Sequence, residues 1–110
     1  MEIKTRKEEN ATVVSIKGRM DAISSPEFEK ELSDLMAEGH KDFIIDFGEL
    51  DYISSAGLRS ILAAAKKVES KEGKLLLCAL RDMVKEVFEI SGFTAIIPVY
   101  ESVNSARVHI

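Results

Sequence analysis

Two short apolar runs separated by a helical pattern constrain this chain more than any other feature. The runs are Phe43–Phe47 and Leu75–Cys78, and both are short enough and apolar enough to form buried strands. Between them a helix is predicted from about Ser55, with its apolar stripe at Leu58, Ile61, Leu62, Ala65 and Val68. Nearly continuous apolar strands joined through a helix are typical of a parallel sheet that is covered on both faces. The sequence therefore predicts an α/β fold.

The N-terminal part predicts a β-hairpin followed by a helix. Alternating residues at Ile3–Thr5 and Thr12–Ile16 indicate two strands, and the second strand is predicted to end at Gly18. The segment Ser24–Glu27 combines a serine cap, a proline in the first turn and an acidic residue, which predicts a helix start. Gly39 is predicted to close that helix.

The C-terminal part predicts a third helix, an edge strand and a short last helix. Met83 and Phe88 lie at helical spacing and are predicted to be core residues. Ile96–Tyr100 is predicted to be an edge strand, because Pro98 cannot donate a ladder hydrogen bond. Ser102 can cap the last helix. The full order is ββαβαβαβα, a mixed sheet that opens with a hairpin and continues with βα units whose helices pack on it.

Length and composition restrict the class of protein. The 110 residues suffice for one domain, which we expect to span 1–110. The net charge is −4 and no basic cluster is present, which argues against nucleic acid or an anionic membrane as the main partner. The first residues have no apolar stretch typical of a signal peptide, and no apolar run is long enough to cross a bilayer. A cytoplasmic location is expected.

Residues suited to metal binding or acid–base catalysis are few. Cys78 is the only cysteine, so an internal disulfide and a cysteine-rich zinc site are excluded, and Cys78 is expected in the core. His40 is expected at the surface of a loop, and His109 is expected at a frayed chain end. We expect no metal and no cofactor. Four acids are expected to be solvated in loops rather than to bind a metal ion: Asp21, Asp46, Glu49 and Asp51.

Two loops follow strand carboxyl ends, where sites collect in parallel sheets, and they span 18–25 and 48–57. The second loop ends in Ser54 and Ser55, at the predicted start of the second helix. One serine is explained as an N-cap. The first turn has no acidic residue and carries Arg59 nearby, and Gly57 permits close approach. An anionic group could therefore be accommodated there, either as a bound anion or as a phosphate on the serine itself.

These residues carry a family resemblance. The segment Asp51–Arg59 resembles the signature loop of the STAS domain, and most closely that of the bacterial anti-sigma-factor antagonists. Gly18–Asp21 is similar to the family's Gly-x-Leu/Met-Asp turn, and the likeness extends over nearly the whole chain. It implies that Ser55 is the phosphoacceptor. Ser54 stands where many members have Asp and Ala56 where they have Ser or Thr, so Ser54 is either an alternative acceptor or the cap.

The resemblance implies a partner-switching function. The unphosphorylated form would bind an anti-sigma factor serine kinase and so release a sigma factor. Phosphorylation of Ser55 would stop that binding, and a phosphoserine phosphatase would restore it. The implied partner-binding residues are Asp21, Ser54, Ser55, Gly57 and Arg59. The chain itself would not be an enzyme, would need no cofactor and is expected to be a monomer when free.

Three other functions are considered. A STAS regulatory subunit of a membrane transporter would share the fold, although the intact serine motif favours signalling. A hydrolase with Ser55 as nucleophile is disfavoured, because the nucleophile elbow needs glycine where Ile53 stands and no histidine is placed as base. Nucleotide binding is not supported, because the chain has no glycine-rich phosphate loop.

Overall fold

The computed structural model of this protein describes all residues, 1–110, and contains one five-stranded sheet with four α-helices. The strands are β1 (Glu2–Lys7), β2 (Thr12–Met20), β3 (Phe43–Ile53), β4 (Leu75–Cys78) and β5 (Val99–Tyr100). The α-helices are α1 (Ser25–Ala37), α2 (Ser55–Ser70), α3 (Asp82–Ile90) and α4 (Val103–Arg107). A single 3₁₀ turn, Phe93–Ala95, precedes β5.

The sheet is mixed, with its strands in the order of the sequence. β1 pairs with β2 in antiparallel orientation, and β2, β3, β4 and β5 are parallel to one another. This arrangement confirms the predicted α/β fold, the opening hairpin and the order ββαβαβαβα. The carboxyl ends of the parallel strands lie at one edge of the sheet, where β2 leads into α1 and β3 leads into α2.

Alternation along the strands divides the core between the two faces of the sheet. Val14, Ile45 and Leu77 belong to the larger cluster, which α1, α2 and α3 cover. The neighbouring residues on each strand point the other way, because side chains alternate along a strand. That second cluster, under α4, comprises Val13, Ile44, Leu76, Cys78, Ala11 and Ala106. Burial on both faces explains why β3 and β4 begin as continuous apolar runs.

β2 and β3 are both longer than the sequence predicts. The prediction that β2 ends at Gly18 is wrong, because the strand continues to Met20 through a register shift at Gly18, whose φ is +97°. The expected loop from Gly48 to Ile53 is also wrong, because β3 runs to Ile53 and only Ser54 separates it from α2. Each extension supplies hydrogen-bonding partners for the other, as Met20 pairs with Ile53. The two candidate loops are therefore shorter and begin at adjacent strand ends.

The prediction that Met83 is a core residue is wrong. Phe88 is fully buried as predicted, but Met83 is 41% exposed. The buried side of α3 is formed by Val84 and Phe88, four residues apart, and Met83 lies outside that stripe. The helix packs through one side only, so a residue one position away from the stripe remains accessible to solvent.

The two histidines are held by contacts that the sequence did not reveal. His40 was expected at the surface, but it is half-buried and its Nδ1 lies 2.5 Å from the hydroxyl oxygen of Thr12. His109 was expected to fray, but its ring stacks on Tyr100 with centroids 4.5 Å apart. The predicted cap of the last helix is confirmed, because Ser102 accepts a hydrogen bond from the backbone N–H of Ser105. The stacking of His109 and the cap at Ser102 anchor the C-terminal segment.

Cys78 is buried, as predicted. Burial raises the pKa of its thiol to about 12, and the nearby Asp46 carboxylate acts in the same direction. Because the thiolate is the reactive form, the side chain is protonated and unreactive at neutral pH. Its contribution is packing in the smaller cluster.

Phe88 provides a test of the larger cluster. Its ring packs between Phe47 and Phe93, with centroid distances of 5.7 and 6.2 Å. Phe88→Ala should lower the free energy of unfolding by about 3–5 kcal/mol, because it removes apolar contacts and leaves a cavity. Urea denaturation measures this change. Ile90→Ala on the same helix is the control, since Ile90 is 79% exposed, and an equal loss in both variants would contradict the packing described here.

Candidate functional site

A tight turn after β2 is organised by the carboxylate of Asp21. That carboxylate accepts hydrogen bonds from the backbone N–H groups of Ile23 and Ser24, both at 3.0 Å. The hydroxyl of Ser24 lies 3.1 Å from the same carboxylate oxygen and accepts the N–H of Asp21 at 2.9 Å. The bonds from Ser24, backbone first and hydroxyl second, hold the pKa of Asp21 below its usual value, with smaller contributions from Ile23 and Arg19. Asp21 is therefore a structural acceptor within the turn.

The start of α1 differs from the prediction because of this turn. Ser24 occupies the N-cap position but its hydroxyl makes no capping hydrogen bond. The hydroxyl is instead within hydrogen-bond distance of Asp21 and of the carbonyl oxygen of Arg19, 3.0 Å away. The expected proline and acidic residue are present in the first turn, as Pro26 and Glu27. The sequence pattern located the helix start correctly but assigned the wrong partner to Ser24.

A hydrogen bond joins the ends of the two central strands. The backbone N–H of Ser54 donates to the carbonyl oxygen of Met20 at 2.9 Å. Asp21 follows Met20 directly, and Ser55 follows Ser54. The two sequence motifs that suggested a site are consequently adjacent in space, at the carboxyl edge of the sheet.

The two serines at the start of α2 have different roles. Ser54 is the N-cap, in an extended conformation, and its hydroxyl oxygen accepts the backbone N–H of Gly57 at 3.2 Å. Ser55 is the first helical residue, is exposed and takes no part in the cap. The first turn of α2 has no acidic residue, whereas α1 has Glu27 there. The partial positive charge of this helix end is therefore not compensated by a side chain.

Gly57 packs the start of α2 against the strand ends. A Cβ atom at this position would lie 2.7 Å from Cγ1 of Ile53 and 2.8 Å from the carbonyl oxygen of Met20. Both distances are too short for any residue with a side chain. The sequence suggested that Gly57 permits close approach, and the group that approaches is the protein's own backbone. Gly57 thus sets the position of Ser54 and Ser55 relative to β2.

Charged and aromatic side chains surround this edge of the sheet. Arg59 is exposed, one helical turn after Ser55. The guanidinium of Arg19 lies over the ring of Tyr52, 4.1 Å from its centroid, which is a cation–π contact. Arg81, which precedes α3, lies 3.8 Å from Asp51 as an exposed ion pair. Sequence patterns assigned no role to Arg19, Tyr52 or Arg81, because only the strand pairing and the β4–α3 connection bring their side chains together at this edge.

The acids considered as metal ligands do not converge. Asp46 accepts the backbone N–H of Gly48 at 2.9 Å, and Asp21 is engaged in its own turn. No three histidine, cysteine, aspartate or glutamate side chains are grouped so that they could hold a metal ion.

No helix has the length and apolar character needed to cross a membrane.

The division between the serines predicts unequal effects on stability. Ser54→Ala should lower the free energy of unfolding by about 1 kcal/mol, because it removes the cap of α2. Ser55→Ala should change it by no more than about 0.5 kcal/mol, because the exposed hydroxyl is not used in the cap. Urea denaturation of the two variants measures both values. Equal effects, or a larger effect at Ser55, would contradict the assignment of Ser54 as the cap.

The Asp21 turn predicts a dependence of stability on acid pH. Because the pKa of Asp21 is lower in the folded chain than its usual value of 3.8, its ionised form stabilises the fold above that pH. This stabilisation should be lost as the pH falls through the lowered pKa. Denaturation between pH 6 and pH 2 should show a steeper acid decline in the unmodified chain than in Asp21→Asn, which cannot titrate there. Parallel curves for the two proteins would refute the lowered pKa.

Comparison with known proteins identifies the family of this chain. The STAS domain family matches residues 2–106. BtrV of Bordetella bronchiseptica, named as an anti-sigma factor antagonist, is 39% identical over 106 residues that cover 96% of this chain and 91% of BtrV. The crystal structure of a protein described as an anti-sigma factor antagonist from Thermotoga maritima has a TM-score of 0.92 at 16% identity, covering 98% of this chain and 93% of that one.

A further structural neighbour is the Bacillus cell fate determinant SpoIIAA. In its phosphorylated form SpoIIAA superimposes with a TM-score of 0.75 at 17% identity, covering 98% of both chains. At such identities the two structural comparisons establish a shared fold, whereas the family match and BtrV establish descent. The chain belongs to the STAS domain family, in the group of the anti-sigma factor antagonists.

Proposed function

We propose that this chain is a partner-switching protein controlled by phosphorylation of Ser55. In its unphosphorylated form it binds an anti-sigma factor serine kinase in the cytoplasm, as a monomer, and thereby releases a sigma factor. The kinase transfers the γ-phosphoryl group of ATP to the Ser55 hydroxyl, leaving ADP, and the modified chain dissociates. A phosphoserine phosphatase hydrolyses the phosphate and restores binding. The chain supplies the acceptor and the docking surface, and its partners supply the catalysis.

The observation that carries this proposal is the availability of Ser55. Its neighbour Ser54 already caps α2, so the Ser55 hydroxyl is exposed and is not needed to hold the helix start. A kinase can therefore modify Ser55 without unfolding the helix. The names of the relatives support an anti-sigma factor antagonist, and SpoIIAA, which has the same fold, has a phosphorylated form. Ser54 is the less suitable acceptor because its hydroxyl oxygen is already engaged by the backbone N–H of Gly57.

Electrostatics explain how a phosphate could end binding and leave the fold intact. Phosphorylation adds roughly two negative charges, and the start of α2 has no acidic side chain that would repel them. The partial positive charge of a helix N-terminus favours such a group within the monomer. At an interface the same charge and bulk would separate the two surfaces. The expected result is a loss of affinity without a change of conformation.

The other proposed partner-binding residues surround Ser55. Asp21 shapes the neighbouring turn, and Ser54 and Gly57 place the start of α2 against the end of β2. Arg59 is exposed one helical turn further along the helix, where it can meet a carboxylate of the kinase. The shape of this edge therefore depends on Asp21, Ser54 and Gly57. Arg59 supplies a positive charge.

Mass spectrometry after incubation with the anti-sigma serine kinase and ATP tests the acceptor. We expect a single phosphate on Ser55 in the unmodified chain and in Ser54→Ala, and none in Ser55→Ala. Ser54→Ala is a matched control, because it removes the adjacent hydroxyl from the same helix start. Phosphate on Ser54 alone would overturn the assignment of Ser55.

Affinity measurements test the switch itself. Ser55→Asp should weaken binding to the kinase at least tenfold, whereas Ser55→Ala should bind as the unmodified chain does, because only the former adds charge at the interface. Ala63→Asp places the same charge at an exposed position two turns along α2 and controls for net charge. Equal affinity of Ser55→Asp and the unmodified chain would rule out the switch.

A regulatory subunit of a membrane transporter remains the alternative, because it would have the same fold. Purification of the tagged chain from its own cells separates the two. Recovery of a serine kinase with a sigma factor supports the proposal, and recovery of a permease or its ATPase favours the alternative.

A further inference from the structure

Ile23 is the most exposed large apolar residue of the chain. Its side chain is 91% exposed, against 79% for Ile90 and 62% for Ile96. Single exposed apolar side chains are common on protein surfaces and need no explanation by themselves. Ile23 differs because the turn that carries it is fixed by several hydrogen bonds and lies beside Ser55.

One oxygen of the Asp21 carboxylate, Oδ1, is engaged in presenting this residue. It accepts the N–H of Ile23 and the N–H of Ser24, and it lies near the Ser24 hydroxyl. The Ser25 hydroxyl donates to the Asp21 carbonyl oxygen, which ties the turn to the first residue of α1. The turn therefore carries an isoleucine side chain that is exposed to water on a hydrogen-bonded backbone.

We propose that Ile23 is the apolar anchor by which this chain docks on its kinase, and that Asp21 is the residue that positions it. The inference rests on the proposed function and specifies the surface that the kinase recognises. The complementary feature of the kinase is an apolar socket that encloses the isoleucine side chain. Because such a socket is dry, the anchor contributes affinity through burial of apolar surface.

Ile23 lies within reach of an interface that also contains Ser55. Met20 is hydrogen-bonded to Ser54, and Ile23 follows three residues after Met20. Three residues of chain span at most about 11 Å, and neighbouring strands lie about 4.8 Å apart. An interface of ordinary size covers about 800 Å² of each partner, which corresponds to a patch with a radius of about 16 Å. An interface of that size centred on the hydrogen bond between Ser54 and Met20 can therefore include both Ser55 and Ile23.

Two neighbouring side chains suit the same surface. Arg19 precedes the turn and is held over the ring of Tyr52 by the cation–π contact. Arginine and tyrosine are enriched among residues that dominate binding energy, and both are restrained before a partner arrives. Pre-ordered side chains lose less conformational entropy on association. The anchor thus stands beside a surface that is already organised.

Substitution of Ile23 tests the anchor. The affinity of the purified serine kinase should fall about ten- to a hundredfold for Ile23→Ser, as expected for loss of a buried aliphatic side chain. Ile23→Val should recover most of it. Ile90→Ser is the matched control, because Ile90 is similarly exposed on a different element, and it should bind as the unmodified chain does. Thermal denaturation should show both serine variants to be folded.

Asp21 is tested by a pair of substitutions. Asp21→Ala removes the acceptor of the turn and should weaken binding about as much as Ile23→Ser. Asp21→Asn retains an acceptor oxygen and should recover most of that loss. If Asp21 met the kinase through its charge, the alanine and asparagine variants would bind equally weakly, and the positioning role would be overturned.

The outcomes separate this inference from the proposed function. If the kinase binds the unmodified chain and fails to bind Ser55→Asp, while Ile23→Ser binds normally, the anchor is wrong and the switch stands. If Ile90→Ser loses as much affinity as Ile23→Ser, the effect is not specific to the turn and the anchor is again wrong. If the unmodified chain does not bind the kinase, the proposed function and the anchor both fail.

Discussion

The geometry of the candidate site depends on the parallel pairing of β2 with β3. This pairing continues to the ends of both strands. It brings Met20 beside Ile53, and the N–H of Ser54 closes the pairing on the carbonyl oxygen of Met20. Gly57 then allows α2 to start directly against that carbonyl group. If the strands ended earlier, as the turn signals suggested, the two serines would lie on a loop of variable position. Continuous pairing instead fixes the position of Ser55, the proposed acceptor, relative to β2.

The backbone N–H groups at the helix starts find hydrogen-bond partners in different ways in α2 and α4. α4 has a complete capping box in which Ser102 and Ser105 bond reciprocally. α2 has a serine cap but no acidic residue in its first turn. An N–H group of the first turn that has no partner can still bind an anionic group. α2 differs from α4 because the exposed serine in its first turn, Ser55, takes no part in the cap.

Sequence patterns predicted the fold well because the controlling interactions are local or periodic. The apolar runs of β3 and β4 and the apolar stripe of α2 reflect burial against the two faces of the sheet. The structure confirms all three. The errors arose where long-range contacts decide. His40 meets Thr12 across 28 positions, and Met83 is exposed because α3 packs through one side only. Strand ends were also misplaced, since pairing with a distant strand overrode the local signal at Gly18.

The sequence by itself determined the class of fold, the family resemblance and the two motifs around Asp21 and Ser55, because residue type and spacing encode secondary structure and short turns. It left open which serine caps α2 and could not show what Asp21 binds. Only the tertiary structure decided these points. The N–H of Gly57 lies within reach of Ser54, and the N–H groups of Ile23 and Ser24 lie within reach of Asp21. Hydrogen bonds depend on distances that exist only once the strands are paired.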